Sequence, residues 1–401
     1  MRRPGAVRPT ILHYCQHSVG LGHLVRSLSV AGALARDFRV VLVSGGTVPA
    51  GIEAPAGVEL VALPVVGSSD GAGTGLVSLE PGMDLEKAWE RRREILLGLL
   101  VELRPAAIVI ELFPLGRRKF AAELLPLLEA ARGQACRPAV VCSVRDILVA
   151  NGPEQQRRDD QAARRLNRYF DLMVVHADPR LVRLEDTFRP SIAVAPPVRY
   201  SGFVVPPGAR PCGPRRQPPE ILVSAGGGMV GGPLLRTAAQ AQRLHLGTLG
   251  LTTRLVTGPF LPAEDAAALH AEAAGCAGLS VERLVPDLCA AMVGASVSVS
   301  QCGYNTALDV LRAGVPALVV PYDEGRETEQ TERARRLAAL GALRVLPARE
   351  LSAARLAHEV GELLGTAPAA VALDLSGAET TAAMVSSLVA KTSLGVQMAA
   401  S

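Results

Sequence analysis

The stretch from Val297 to Pro321, VSVSQCGYNTALDVLRAGVPALVVP, limits the possible folds more than any other part of the chain. It reads as a short apolar strand, a turn with one glycine, a helix, a Gly314-Val-Pro316 stop and a second strand. A strand that turns directly into a helix leaves backbone N–H groups unpaired. It also gathers the positive end of the helix dipole at one point. Such a point holds a phosphate or pyrophosphate. Asp309, two turns into the helix, is placed to meet a ribose if the helix lies along a nucleotide. Ser224-Ala-Gly-Gly-Gly-Met-Val-Gly-Gly232 repeats the strand–turn–helix setting. Two such turns in one half argue for a nucleoside-diphosphate ligand.

Apolar runs alternate with helical stretches along the whole chain. In the first half the strands are Ile11–Cys15, Val40–Ser44, Val58–Ala62, Ala107–Glu111, Ala139–Ser143 and Leu172–Val175, with helices between them. The second half repeats the theme from Ile221 to Leu346. Continuous apolar strands between helices imply α/β architecture with doubly wound parallel sheets. A length of 401 residues suits two domains. The segment 206–219 is so rich in proline that it forbids a helix and resists sheet pairing, so it reads as a linker. The expected domains are 1–205 and 220–401. Gly67–Gly82 reads as a long loop, and the small-residue tail after Thr380 as partly disordered at its end.

Composition removes several functions. Aromatic residues are 3%, which weighs against stacked bases or an aromatic carbohydrate platform. The net charge of +4 is carried almost entirely by arginine, and no nucleic-acid partner is expected. No C-x-x-C pair and no metal-ligand spacing occurs, so the cysteines read as reduced thiols of a cytoplasmic protein and no metal is expected. No run reaches the length of a membrane span, and Met1–Thr10 lacks the apolar stretch of a signal peptide. Arg91-Arg-Arg93 reads as a solvated helix face, with contact to an anionic membrane surface as the alternative.

Three motifs carry chemistry. The first strand runs into His13-Tyr-Cys-Gln-His-Ser-Val-Gly-Leu-Gly-His23. His23 falls at a helix start, where the dipole disfavours the imidazolium. A neutral imidazole there can act as general base on a hydroxyl; His17 is a second candidate. The glycines are not spaced G-x-G-x-x-G and Ser44, not an acid, ends the second strand, so a dinucleotide site has little support. The loop 224–232 lacks G-K-[ST] and is not a P-loop. The polar run after Pro321 includes Glu329 and Gln330, able to meet sugar hydroxyls.

Together, the His-containing glycine turn, the glycine-rich turn of the second half and the block Ser300–Ala334 resemble the GT-B glycosyltransferases, in particular glycosyltransferase family 28 and its MurG-like members. The resemblance covers most of the chain and implies two Rossmann-like domains facing across a cleft. It implies a nucleotide-sugar donor, most simply UDP-linked, held by the second domain. Gly226, Gly227 and Gly228 with Ser300, Gln301, Cys302 and Gly303 would meet the diphosphate. Leu284 and Val285 lie in the stretch that reads the base, Asp309 stands where the family has a glutamate on the ribose, and Glu329-Gln330 stands where it has a Gln-Gln pair on the sugar. His23 matches the family histidine, and Gly20, Gly22, Arg145 and Asp146 fall on the acceptor side. Glu324 and Glu332 have an E-x7-E spacing but follow Gly314-Val-Pro316 rather than precede it, so they do not mark a retaining enzyme. An inverting, metal-independent transfer with no further cofactor is the expectation. The residues leave open a nucleotide-sugar hydrolase or epimerase on the same fold, and a non-catalytic nucleotide-sugar-binding protein. They do not specify the acceptor or the oligomeric state.

Overall fold

The computed structural model describes residues 8–17, 21–67, 75–149, 152–207, 213–323 and 328–400, the side chains of 393–400 excepted. The chain forms two compact units. The first contains β1 (Thr10–Cys15), β2 (Arg39–Ser44), β3 (Val58–Ala62), β4 (Val66–Gly67), β5 (Val77–Ser78), β6 (Ala107–Glu111), β7 (Ala139–Arg145), β8 (Leu172–His176) and β9 (Val198–Tyr200). Its helices are α1 (Gly22–Leu34), α2 (Leu85–Leu103), α3 (Ala121–Arg132) and α4 (Gln155–Tyr169). Seven strands form a parallel sheet in the order β3-β2-β1-β6-β7-β8-β9. β1, β6 and β8 are buried almost throughout because helices cover both sheet faces. The stretch expected to be one long loop includes the antiparallel pair β4–β5; residues 68–74 lie outside the described residues.

The opposite face of β1 from the one that carries His13 rests on an ion pair. Arg92 of α2 is 0% exposed and grips Glu123 of α3 with two donors, Nε to Oε2 at 2.6 Å and Nη2 to Oε1 at 2.7 Å. Nη1 donates to the carbonyls of Gly45 and Pro64, and Nη2 to Gln16 Oε1. The guanidinium lies over the Trp89 and Phe120 rings, and Tyr14 donates its hydroxyl hydrogen to Glu123. One cation thus fixes two helices, the end of β1 and the loops after β2 and β3. This corrects the reading of 91–93 as a solvated or membrane-facing stripe: helical spacing turns Arg92 inward while Arg91 stays exposed beside Glu94.

The second unit contains β10 (Glu220–Ser224), β11 (Thr252–Val256), β12 (Leu279–Glu282), β13 (Val297–Ser300), β14 (Ala317–Val319) and β15 (Arg344–Val345). Around them lie α5 (Gly232–Ala241), α6 (Ala263–Ala274), α7 (Leu288–Gly294), α8 (Tyr304–Ala313), α9 (Glu329–Ala339) and α10 (Ala353–Leu363). The parallel sheet runs β12-β11-β10-β13-β14-β15. Its core is built from Val223, Leu235, Leu255, Val299, Leu318 and Val360.

From Leu373 the chain returns to the first unit, so the second domain does not run to residue 401 as the sequence suggested. The return is fixed by Phe203 N–H to Asp374 O at 2.7 Å, Gly377 N–H to Phe203 O at 3.0 Å and Asp374 N–H to Asp178 Oδ2 at 3.0 Å. A Cβ on Gly377 would lie 2.6 Å from the Gly202 carbonyl, so this crossing needs glycine. The tail then forms α11 (Gly377–Ala400), helical where disorder was expected, with Val385 buried. In the proline-rich linker, residues 208–212 lie outside the described residues.

Replacing Arg92 by Met leaves Glu123 buried without a counter-charge and is expected to lower unfolding free energy by about 3–5 kcal/mol. Urea denaturation measures this, and the double replacement Arg92→Met with Glu123→Leu should recover part of it. A loss below about 1 kcal/mol for the single variant would deny the pair its structural role.

Candidate functional site

In both units the strand order reverses in the middle of the sheet, between β1 and β6 in the first and between β10 and β13 in the second. The connections leave in opposite directions there and open a crevice at the strand carboxyl ends. The sequence-predicted residues fall at these two places.

In the first unit, α1 begins at the crevice and carries His23 in its first turn. Glu111 ends β6, and its side chain is 1% exposed. His23 Nδ1 lies 2.8 Å from Glu111 Oε1. Arg26, one helical turn on and 2% exposed, also donates to Glu111 Oε1. Burial opposes ionisation of Glu111, but the His23 contact and the Arg26 charge outweigh it and hold the carboxyl well below its usual range. A carboxylate only accepts, so it assigns the hydrogen to Nδ1 and leaves Nε2 with a lone pair. Arg26 Nη2 is also 3.1 Å from Nδ1, yet a guanidinium donates only; both donors therefore turn to the carboxylate. Burial pushes His23 down to about 3, against the pull of Glu111, so the ring is neutral near pH 7.

Other histidines share this buried region. His17 is 2% exposed and bonds Ser44 Oγ at 3.0 Å through Nε2, the atom a base would need. His176 is held between Ser143 and Ser201, at 2.7 and 2.9 Å. His13 is 1% exposed, and neither of its ring nitrogens has a hydrogen-bond partner among the described residues. Gly22 opens α1, Arg145 ends β7, Asp146 beyond it is fully buried, and Gly20 lies outside the described residues.

In the second unit, Gly226 and Gly228 have φ of 59° and 94°, and the loop folds onto Thr257–Gly258 with Phe260 N–H bonded to Gly227 O. A Cβ on Gly228 would sit 2.4 Å from the Thr257 carbonyl. Gly303 is the N-cap of α8, gives no side-chain cap and faces open space. A Cβ on Gly226 would have Thr306 Oγ1 of α8 at 3.9 Å, so the glycine turn and the uncapped helix start face each other. Ser300 is buried, and Gln301 Nε2 donates to Val230 O, tying the two turns. The amide of Cys302 is engaged by Gln330 Oε1 at 3.0 Å, which also accepts from Tyr322 N–H at 3.2 Å. Gln330 therefore shapes the turn with its oxygen. Glu329 is buried at the start of α9. Leu284 is 41% exposed and Val285 half-buried on the loop after β12. Burial pushes Asp309 up to about 7, against Arg312, whose Nη1 is 3.9 Å away, and with Asp287.

Residues 264–381 match the glycosyltransferase family 28 C-terminal domain, a span that includes α8 and α9. The chain has the GT-B fold, and the part of it similar to that family lies mostly in the second unit. A 99-residue stretch is 37% identical to the UDP-N-acetylglucosamine--N-acetylmuramyl-(pentapeptide) pyrophosphoryl-undecaprenol N-acetylglucosamine transferase of Alkalilimnicola ehrlichii, covering 24% of this chain and 28% of that one. The enzyme of the same name from Xanthomonas campestris is 33% identical over 172 residues, 43% of this chain and 39% of that one. The matches thus span well under half the length of these curated relatives. Among solved structures, the calicheamicin glycosyltransferase CalG4 superposes with a TM-score of 0.57 at 20% identity, covering 96% of this chain and 95% of that one. Among the described residues no helix is long and apolar enough to cross a membrane.

Sequence reasoning missed Glu111 and Arg26. The available signal was a carboxylate closing an otherwise apolar parallel strand, and a charged residue one turn after His23.

Acid sensitivity follows from the buried rings. His13 and His17 are pushed down to about 4, and His23 and His176 to about 3, in each case chiefly by burial. Below pH 6.5 the unfolded chain takes up protons that the folded chain refuses. The stability is full above that pH and is lost as pH falls through 4 to 3. The slope is ~1.4 kcal/mol per pH unit for each such proton. Thermal unfolding at pH 7, 6, 5 and 4.5 should show a steepening fall in Tm, less steep in His176→Gln. A flat Tm from pH 7 to 5 contradicts the burial of neutral rings.

Proposed function

We propose that this protein is a glycosyltransferase that moves a sugar from a nucleoside-diphosphate donor, most simply UDP-linked, to an acceptor hydroxyl with inversion at the anomeric carbon. The observation that carries the reading is the family 28 domain placed over the uncapped start of α8 and the helix that braces it. A helix start without a side-chain cap, facing a glycine turn, is the setting a diphosphate requires. The names of the curated relatives, which use a UDP-sugar, support the choice of donor.

The second unit binds the donor and the first supplies the base. The diphosphate sits on the amides from Gly303 onward and on the 226–228 turn. Asp309 accepts from the ribose, the 284–285 loop meets the base, and Glu329 meets the sugar. His23 Nε2 removes the acceptor proton while Glu111, held ionised by Arg26, stabilises the imidazolium as it forms. The acceptor oxygen bonds to the anomeric carbon from the face opposite the diphosphate. The carbon–oxygen bond to the diphosphate breaks, and its electron pair leaves with the nucleoside diphosphate. Amide dipoles take up the charge that develops on it, so no metal or further cofactor enters the scheme. His17, bonded to Ser44, has no part in the proton transfer.

His23→Ala should lower turnover by roughly 10²–10⁴-fold and leave UDP affinity unchanged. Glu111→Gln should lower kcat by about 10² while KM for the donor holds. Full turnover by the His23 variant removes the base from the scheme. NMR of the product should show the inverted anomer and chelator should not slow the reaction. Free sugar formed at the same rate without acceptor would mean a hydrolase.

Donor affinity should rise with pH through about 7, because the ribose hydroxyls favour the Asp309 carboxylate over its protonated form. Asp309→Asn should weaken UDP binding by about 10–100-fold, as loss of a charge-assisted bond does, and abolish that pH dependence. Calorimetry from pH 6 to 8 measures both.

A further inference from the structure

Arg117 is a cation that the fold has not neutralised. It closes the segment that leaves β6 after Glu111, a segment with two non-glycine residues in the left-handed region, Leu112 at φ 63° and Arg117 at φ 52°. Such backbone persists where the surroundings hold it, typically at functional sites. The Arg117 Nε is sealed from solvent without a partner, and the side chain makes no hydrogen bond or ion pair among the described residues. The residue as a whole keeps partial exposure, so a ligand can reach it. The buried arginines of the unit differ. Arg92 has Glu123, and Arg26 has Glu111. The anion that acts on Arg117 is Glu111, already shared by His23 and Arg26, while Arg145 adds like charge. Burial pushes the Arg117 guanidinium down, a sign of an unrelieved charge, yet it remains protonated at neutral pH. His17 and His23 both feel its charge, and Arg117 lies on the segment that follows Glu111, whose Oε1 is 2.8 Å from His23 Nδ1.

We propose that the acceptor bears an anionic group, a carboxylate or a phosphate, which docks on Arg117 and brings a neighbouring hydroxyl to His23. The inference rests on the transferase reading and names its acceptor class. A guanidinium presents a planar fork of donors that matches two oxygens of either anion. Docking there replaces the missing partner and relieves the repulsion from Arg145. The low-dielectric surroundings make the charge pair strong, and they make a neutral acceptor poor, since it would leave Arg117 uncompensated.

The test uses the full chain with saturating UDP and three small probes that each carry a hydroxyl: D-glycerate, sn-glycerol 3-phosphate and glycerol. Calorimetry should show one of the two anions binding at least about 10-fold more tightly than glycerol. Whichever anion wins identifies carboxylate or phosphate as the group. Arg117→Gln should erase the preference while UDP affinity stays at the wild-type value and Tm does not fall, because an unpaired, half-buried charge has been removed. Arg117→Lys should keep a reduced preference, as a point charge without the fork. Equal affinity of the wild-type protein for charged and neutral probes, or a preference that survives Arg117→Gln, overturns the proposal. Absence of UDP binding instead brings down the transferase reading itself, and is read separately in the same titrations.

Discussion

A parallel sheet that reverses its strand order at the middle cannot close its own crevice. The two flanking connections leave on opposite faces, and the carboxyl ends of the central strands are left without a covering helix. In this protein both sheets reverse in this way, at β1/β6 and at β10/β13. Everything chemically active that we describe follows from that constraint. In one unit the crevice lies at a glycine turn and a helix start without a side-chain cap, and in the other it gathers side chains.

The two crevices are furnished by different physics. At β10/β13 the useful groups are main-chain N–H donors, so the sequence must supply small residues and withhold caps. Gly226, Gly228 and Gly303 do this, and Gln330 locks the turn by accepting from Cys302 and Tyr322. At β1/β6 the useful groups are charges removed from water, and each must be matched. Glu111 is matched by Arg26 and His23, and Arg92 by Glu123 on the other face of the sheet. Buried ion pairs of this kind contribute less to net stability than to a single arrangement of side chains. A general base needs such an arrangement, since a ring turned by a few tens of degrees would present the wrong nitrogen.

The crossing at Leu373 adds a covalent constraint on the same unit. Hydrogen bonds among Asp178, Phe203, Asp374 and Gly377 pin the returning chain just beyond the end of β8, the strand that His176 closes. The final helix then belongs to the unit that carries Glu111 rather than to the unit that precedes it in sequence.

Local order was legible from the sequence by itself. Continuous apolar runs between helices force parallel strands covered on both faces. A strand turning through glycine into a helix forces free amides at its start. Those two facts gave the α/β class, most strand positions and the turns at Gly226–Gly228 and Gly303. What only the tertiary structure decided was the company each charge keeps. Arg92 and Arg91 are neighbours in sequence, yet one is sealed against Glu123 and the other meets water. His17 and His23 lie in one turn, yet one is tied to Ser44 and the other is set against Glu111 from 88 residues away. Burial and pairing depend on which distant strands adjoin, and periodicity along the chain carries no record of that. For the same reason Glu111 read as an ordinary strand-end charge until the sheet order set it against His23.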